Sequence, residues 1–346
     1  MIQVLTVGQS KRMINDPQKF ATEFLENSAS YLNANSAAKN IEFGRRTICL
    51  QLNENDYIGT LVLKSFIESN SIDPKFVLQI WRSTEVIELP SLTWAQNYLS
   101  NDNALSFSLT KPFKIAFDIS QGFIFVYDTS AKLGSIWIAP DRQVSLNSFV
   151  TPFRLMLSWM AEDFDAEIVH ASSVCFENKG LIFNGPSGSG KSTLALLCLL
   201  NGYPMMADDV VLVEAERIYS VYRYAKVDTQ KNPLDISQIT TFKMENSSES
   251  KEIIDLENFG EKFIKETALS TIILPIFAHL NHYERLSTSD AVKLMAPNSM
   301  RELMGGTANN FKRLVKIVSG VPVFRLALSA NNEKNMASLT ELVGSL

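Results

Sequence analysis

The nine residues Gly185 to Thr193 read GPSGSGKST, and the run MMADDVVLV begins after a gap of eleven residues. The first string has the residue types that hold a phosphate. Gly185, Gly188 and Gly190 allow unusual backbone dihedrals and a close approach to a ligand. With Pro186, Ser187 and Ser189 between them, successive N–H groups can point inward as an anion nest. A helix opening near Lys191 adds its positive dipole end. Lys191 can reach the β- and γ-phosphates, and the Ser192 hydroxyl can be a ligand for Mg²⁺. The whole stretch through Thr193 is the candidate nucleotide-binding loop, with an apolar strand before it and an apolar helix after it.

The second string carries the acid. Asp208 and Asp209 follow Lys191 by 17 and 18 residues. A helix, a stop at Gly202 and a short loop use up that interval, so the next strand is expected beside the loop strand. Adjacent strand residues point to opposite faces, which predicts different tasks for the two carboxylates. One can hold Mg²⁺ or its water, and the other can accept a proton from an attacking hydroxyl. His170 lies 15 residues before Gly185, as a packed strand residue or as a group at the site. His279 and His282 have no third metal ligand in sequence and read as a surface loop. Arg285, Arg301 and Arg325 are further candidates for phosphate contact, in cis or in trans.

Around these residues, the chain looks like a soluble globular protein. Its 346 residues suffice for two domains. They are 46% hydrophobic and 20% charged, with a net charge of −5. The sequence pI is about 5.4 and the mean hydropathy +0.02. No basic footprint calls for a nucleic-acid partner. No apolar run is long enough to span a membrane, and the start shows no signal peptide. Cys49, Cys175 and Cys198 have no metal spacing and read as reduced thiols, with Cys198 packed on an apolar helix. The expected location is cytoplasmic. The oligomeric state is left open, a homo-oligomer included.

The elements fall into two styles. From Ile41 to about Ala139 short β-type runs alternate with turns, among them RRTICLQL, FVLQIW, FKIAFDI, FIFVYDT and GSIWIAP. The polar stretches Asn33 to Asn40 and Glu245 to Lys251 read as loops. The boundary is placed near residue 148, giving a β-rich α+β domain over 1–148 and an α/β nucleotide-binding domain over 149–346. The second opens with an apolar helix at TPFRLMLSWMA. There AEIVHASSVCF, GLIFNG and MMADDVVLV read as strands, KSTLALLCLLNG as a helix, and Phe311 to Leu346 as helix–strand–helix.

From about Val169 to Val213 the sequence HASSVCFENKGLIFNGPSGSGKSTLALLCLLNGYPMMADDVVLV resembles the core of the HPr serine kinase family. Shared with that pattern are a His on a strand, a turn, the Gly-rich loop, a helix ending in Gly and an Asp-Asp strand, at matching intervals. The resemblance implies a P-loop kinase core of the HPr-kinase/PEP-carboxykinase type. It implies ATP- and Mg²⁺-dependent transfer of the γ-phosphoryl group to a serine-type hydroxyl. By position, Lys191 would bind phosphate, Ser192 and Asp209 would serve Mg²⁺, Asp208 would be the general base, and His170 would stand at the site. The Arg- and Gly-rich C-terminal segment of the bifunctional HPr kinase/phosphorylases has no counterpart here, and LDISQITTFKMENSSESK replaces their Gly-rich segment after the acidic strand. HPr itself and phosphorylase activity are therefore not expected. A divergent member is, one that modifies a peptide or protein hydroxyl, as lasso-peptide-type kinases do. Alternatives are a free-serine kinase and a non-catalytic nucleotide sensor. An ABC-type ATPase would need a signature sequence ahead of a distant acidic strand, and a guanylate-kinase-like enzyme would carry its loop near the start of its domain. The N-terminal half, outside the resemblance, is the expected seat of acceptor recognition or regulation.

Overall fold

The β-type runs of the sequence do form strands in the computed structural model of the chain. It describes residues 16–346 except 33–35, 54–55, 84–95, 100–103, 119–121, 141–144, 229–233, 238, 244–250, 279–280 and 303–307. In chain order the first elements are α1 (Pro17–Leu32), β1 (Ser36–Phe43), β2 (Arg46–Asn53), α2 (Tyr57–Leu63), β3 (Phe76–Trp81), β4 (Gln96–Leu99), β5 (Ala104–Thr110), β6 (Phe113–Asp118), β7 (Phe123–Asp128), β8 (Leu133–Ile138), α3 (Leu146–Val150) and α4 (Arg154–Glu162). There follow β9 (Ala166–Val169), β10 (Ala171–Phe176), β11 (Lys179–Asn184), α5 (Lys191–Leu200), β12 (Met205–Ala207), β13 (Val211–Glu214), β14 (Arg217–Ser220), β15 (Tyr224–Asp228), β16 (Thr241–Phe242), β17 (Lys251–Asp255), β18 (Glu266–Phe277), β19 (His282–Arg285), α6 (Thr288–Glu302), α7 (Ala308–Gly320), β20 (Val323–Leu328) and α8 (Asn332–Gly344). The chain is mixed α/β and divides into two compact units. One holds residues 1–64, 68–144 and 155–163, and the other 65–67, 145–154 and 164–346.

The first unit is an eight-stranded sheet in the order β1-β2-β3-β8-β7-β6-β5-β4. Strand β3 is parallel to both its neighbours, β2 and β8. Helix α1 buries Phe20, Ala21, Phe24, Ser28 and Leu32, a stripe at helical spacing. That stripe packs on Ile115, Phe117, Ile124, Val126 and Trp137. The polar groups inside this core satisfy one another. Ser135 donates to Ser28 at 2.8 Å, Ser28 to Gln79 at 2.8 Å, and Trp81 to Ser135 at 3.0 Å. Residues Ser36 to Asn40, expected in a loop, are instead part of β1, which pairs with β2 over its whole length. A polar edge strand shows no apolar alternation to read.

The helix at TPFRLMLSWMA begins three residues later than expected, at Arg154. Its stretch from Leu155 belongs to the first unit, although the sequence reading put it in the second. Met156 and Met160 pack against the Gly134 backbone, Glu162 pairs with Lys114 at 2.8 Å, and Asp163 takes Tyr127 and Lys132. An apolar helical stripe announces that it will be buried, not which sheet buries it.

The second unit has three layers. Its sheet runs β12-β10-β11-β18-β14-β13-β9, with β20 beside β18 and β19 beside β20. Strands β11 and β20 both lie parallel to β18. One face is covered by α5, α8 and the small sheet β15-β17-β16, in a core that includes Phe183, Leu194, Leu197, Val227, Ile254 and Leu339. The other face is covered by α6 and α7, through Ala291, Met295, Leu314 and Val318. Cys198 is fully buried on α5, and burial pushes its thiol up. Among the described residues no helix is long and apolar enough to cross a membrane.

Two strands expected to be continuous are broken. AEIVHASSVCF divides at His170 into β9 and β10, and MMADDVVLV divides at Asp208–Val210 into β12 and β13. Strand β13 pairs with β9, whereas β12 pairs with β10. The loop strand β11 has β10 and β18 as its neighbours, so the acidic strand is not directly beside it. Both ends of the strand order therefore meet at the two breaks, which lie against each other. The Ala171 N–H donates to the Asp209 carbonyl at 3.1 Å.

Candidate functional site

The loop follows from its own residues. Strand β11 ends at Asn184 and α5 begins at Lys191. Gly190, the N-cap of α5, has φ 100°, and a Cβ there would come within 2.9 Å of Leu328. Gly188 has φ 79° with open space around it. Both positions suit glycine for the backbone alone. The helix start carries no side-chain cap, so its first N–H groups are available to an anion. The Ser189 hydroxyl is buried and has no hydrogen-bond partner among the described residues. Lys191, 8% exposed, turns its ammonium group onto the Gly185 carbonyl at 2.7 Å and the Pro186 carbonyl at 3.1 Å.

The acidic pair sits at the break between β12 and β13. Val210 N–H donates to the Asp208 carbonyl at 2.9 Å, and Asp209 takes a left-handed φ of 73°. A non-glycine residue held there is strained and persists only where its surroundings over-determine it. The surroundings do so through the side chains. Asp209 lies 3.2 Å from His170 Nδ1, 2.8 Å from Lys226 Nζ and 4.0 Å from Arg154 Nη1. Burial alone would push its carboxyl up. The charges of Lys226, Arg154 and His170 overcome that and hold it well below the usual carboxylate range. Asp208 is more deeply buried and accepts from the Ser172 hydroxyl at 2.8 Å and the Lys226 backbone N–H at 3.1 Å. The two carboxylates thus do have different surroundings, but through a kink and not through the opposite faces of one strand.

Loop and acid share one cleft of about 530 Å³. It is lined by Ser187, Gly188, Gly190, Lys191, Ser192, Thr193, His170, Asp208 and Asp209. Gly185, Pro186 and Ser189 belong to the loop without lining the cleft. Sequence reasoning did not single out Arg154, Lys226, Asp228, Lys251 or Phe277, which also line it. They come from the start of α4, from β15 and β17, and from the end of β18, and neither their types nor their spacing marks them. The other sequence candidates are elsewhere. Arg325 pairs with Glu284 on β19, and neither Arg325 nor Arg285 lines the cleft. His282 is exposed on β19, and His279 and the Arg301 side chain lie outside the described residues. Among the described residues no three His, Cys, Asp or Glu side chains gather as a metal cage.

The donor set fits a magnesium nucleotide. An ionised carboxylate and a serine hydroxyl are the hard oxygen donors that Mg²⁺ takes, usually with phosphate oxygens and water completing the shell. The uncapped helix start and Lys191, which line the cleft, fit the phosphates.

No family model and no curated protein matches the chain. Among solved structures, the Hpr(Ser) kinase/phosphatase from Coxiella burnetii is similar, at 13% identity and a TM-score of 0.28, over 52% of this chain and 96% of that one. At that level of overlap the chemistry of the cleft rests on its own geometry.

Proposed function

We propose that the protein is an ATP- and Mg²⁺-dependent kinase that transfers the γ-phosphoryl group to a serine-type hydroxyl of a peptide or protein. The observation that carries this reading is the cleft itself. The Gly-rich loop with Lys191 and the Asp208–Asp209 pair with His170 open into the same space. Phosphoryl transfer asks for little else than positioning, charge neutralisation and a proton acceptor.

The roles divide by environment. The loop N–H groups and Lys191 bind the phosphate chain. Ser192 and Asp209 would hold Mg²⁺, which when bound neutralises charge on the phosphates. Asp209 suits this task because its ion pairs keep it ionised, and the same pairs make it a poor proton acceptor. Asp208 takes the proton of the acceptor hydroxyl as the new O–P bond forms and the bond to the β-phosphate oxygen breaks, with ADP leaving. His170 stands beside Asp209, with Nδ1 3.2 Å from Oδ1. The first unit carries acceptor recognition in this reading.

The test is mass spectrometry after incubation with Mg-ATP and hydroxyl-bearing acceptors: peptides and proteins encoded beside this gene, and free serine. A phosphorylated peptide or protein is the expected product. Phosphoserine as the sole product would move the activity to a small-molecule kinase. Nucleotide binding with no phosphorylated product would leave a nucleotide sensor.

A further inference from the structure

Lys226 stands between the two aspartates. Its backbone N–H donates to Asp208 and its ammonium group to Asp209, at 3.1 and 2.8 Å. It belongs to β15, in the three-stranded sheet and not in the sheet interrupted by the aspartates. The Lys226 side chain is 10% exposed and that of Asp209 14%, so the pair is largely withdrawn from water. A charge in such a place is costly once its partner leaves. A carboxylate that serves a divalent cation must offer it an oxygen. Here Oδ2 is engaged by Lys226, and Oδ1 faces His170. Lys191 is arranged in parallel, with its ammonium group on loop carbonyls. Two cations of the cleft are therefore held by protein oxygens, and a phosphate chain offers both of them stronger, charged acceptors.

We infer that Lys226 is a resident counter-ion that closes Asp209 to divalent metal until a phosphate chain arrives, when its ammonium group passes to the phosphate oxygens and frees the carboxylate. The inference rests on the nucleotide-binding reading above and adds an order to it, in which metal and nucleotide enter together. The exchange is purely ionic. The entering metal replaces the charge that Lys226 withdraws, so Asp209 is never left unpaired. By linkage, nucleotide must then tighten metal binding by the same factor as metal tightens nucleotide binding.

The probe is Mn²⁺, titrated into the full-length protein and followed by electron paramagnetic resonance, with and without a non-hydrolysable ATP analogue. The parent should bind Mn²⁺ weakly alone, and about 5- to 150-fold more tightly with the analogue, the usual span of site–site coupling. Lys226→Met should bind Mn²⁺ without nucleotide about tenfold more tightly than the parent, and the ratio between the two conditions should collapse towards one. Adding Asp209→Asn should abolish that gain. Lys226→Gln keeps a donor to Asp209 while losing the charge, and carries the same expectation if the methionine variant fails to fold. Nucleotide-free Mn²⁺ affinity equal in parent and Lys226 variants would overturn the inference, as would a gain that survives Asp209→Asn. Failure of every form to bind the analogue would sink the nucleotide reading instead. The nucleotide-free arm would still report on the Lys226–Asp209 exchange.

Discussion

The Gly-rich loop and the acidic pair face one cleft but are built in opposite ways. The loop is self-contained. Its lysine is satisfied by the Gly185 and Pro186 carbonyls, and its bends are made by glycines within the same nine residues. The acidic pair is satisfied only from afar. Asp209 is held by Arg154, His170 and Lys226, and Asp208 by Ser172 and Lys226. A loop that closes on itself should tolerate loss of its charged residue structurally and fail only in function. A cluster assembled from separate segments should lose stability as well.

Three experiments bear on that contrast. The largest effect belongs to the loop. Lys191→Ala should lower phosphoryl transfer by about 10³-fold, the scale on which a single cation stabilises transferring phosphate, and should abolish Mg-ATP binding. Its melting temperature should stay close to the parent's, because the Gly185 and Pro186 carbonyls that the ammonium group leaves belong to the same loop. Parent-like nucleotide binding would break the loop assignment. A collapse in stability would show that the loop is not self-contained.

Next comes Asp208, the proposed base. Asp208→Asn should lower transfer by about 10²- to 10⁴-fold, the usual contribution of a positioned acid or base, while calorimetry finds nucleotide affinity within about threefold of the parent. Equal loss of nucleotide binding in Asp208→Asn and Asp209→Asn would mean that the two carboxylates do not divide the work.

The third effect is one of stability. Asp209→Asn removes the carboxylate that Lys226 and Arg154 share, and should cost about 3 kcal/mol at pH 7 by urea unfolding. Its pH dependence follows from the direction of the Asp209 shift. Burial opposes ionisation, the neighbouring Lys226, Arg154 and His170 outweigh it, and the folded-state value is depressed. The stabilisation is therefore complete above the ordinary carboxylate value of about 4 and is lost as pH falls below it towards the folded-state value. The gap between parent and Asp209→Asn should narrow below about pH 4. A gap unchanged from neutral pH down to about pH 2.5 would show that these ion pairs do not set the stability of the cluster.

Much of the second unit was legible because its signals are local. The loop is consecutive residues of demanding types, the helix after it ends at Gly202 with φ 92°, and Phe311 to Leu346 is helix, strand and helix as its periodicity indicates. What was misread has a common cause. MMADDVVLV contains no Gly or Pro, so nothing within it marks the turn at Asp209. That turn exists because β13 pairs with β9 while β12 pairs with β10. The apolar stripe of α4 is visible in sequence, but its partner Gly134 is not.

By itself, then, the sequence determined the Gly-rich loop, the helix behind it and the existence of an acidic pair at a set interval. All of these depend on residue types within a few positions of one another, where glycine dihedrals and helix periodicity act directly. Only the tertiary structure decided that the pair sits at a kink, that His170, Arg154 and Lys226 surround Asp209, and that loop and acid open into one cleft. Those facts follow from strand pairing and from the electrostatics of burial. A buried carboxylate takes whatever cations the fold brings within a few ångströms, however far away they stand in the chain.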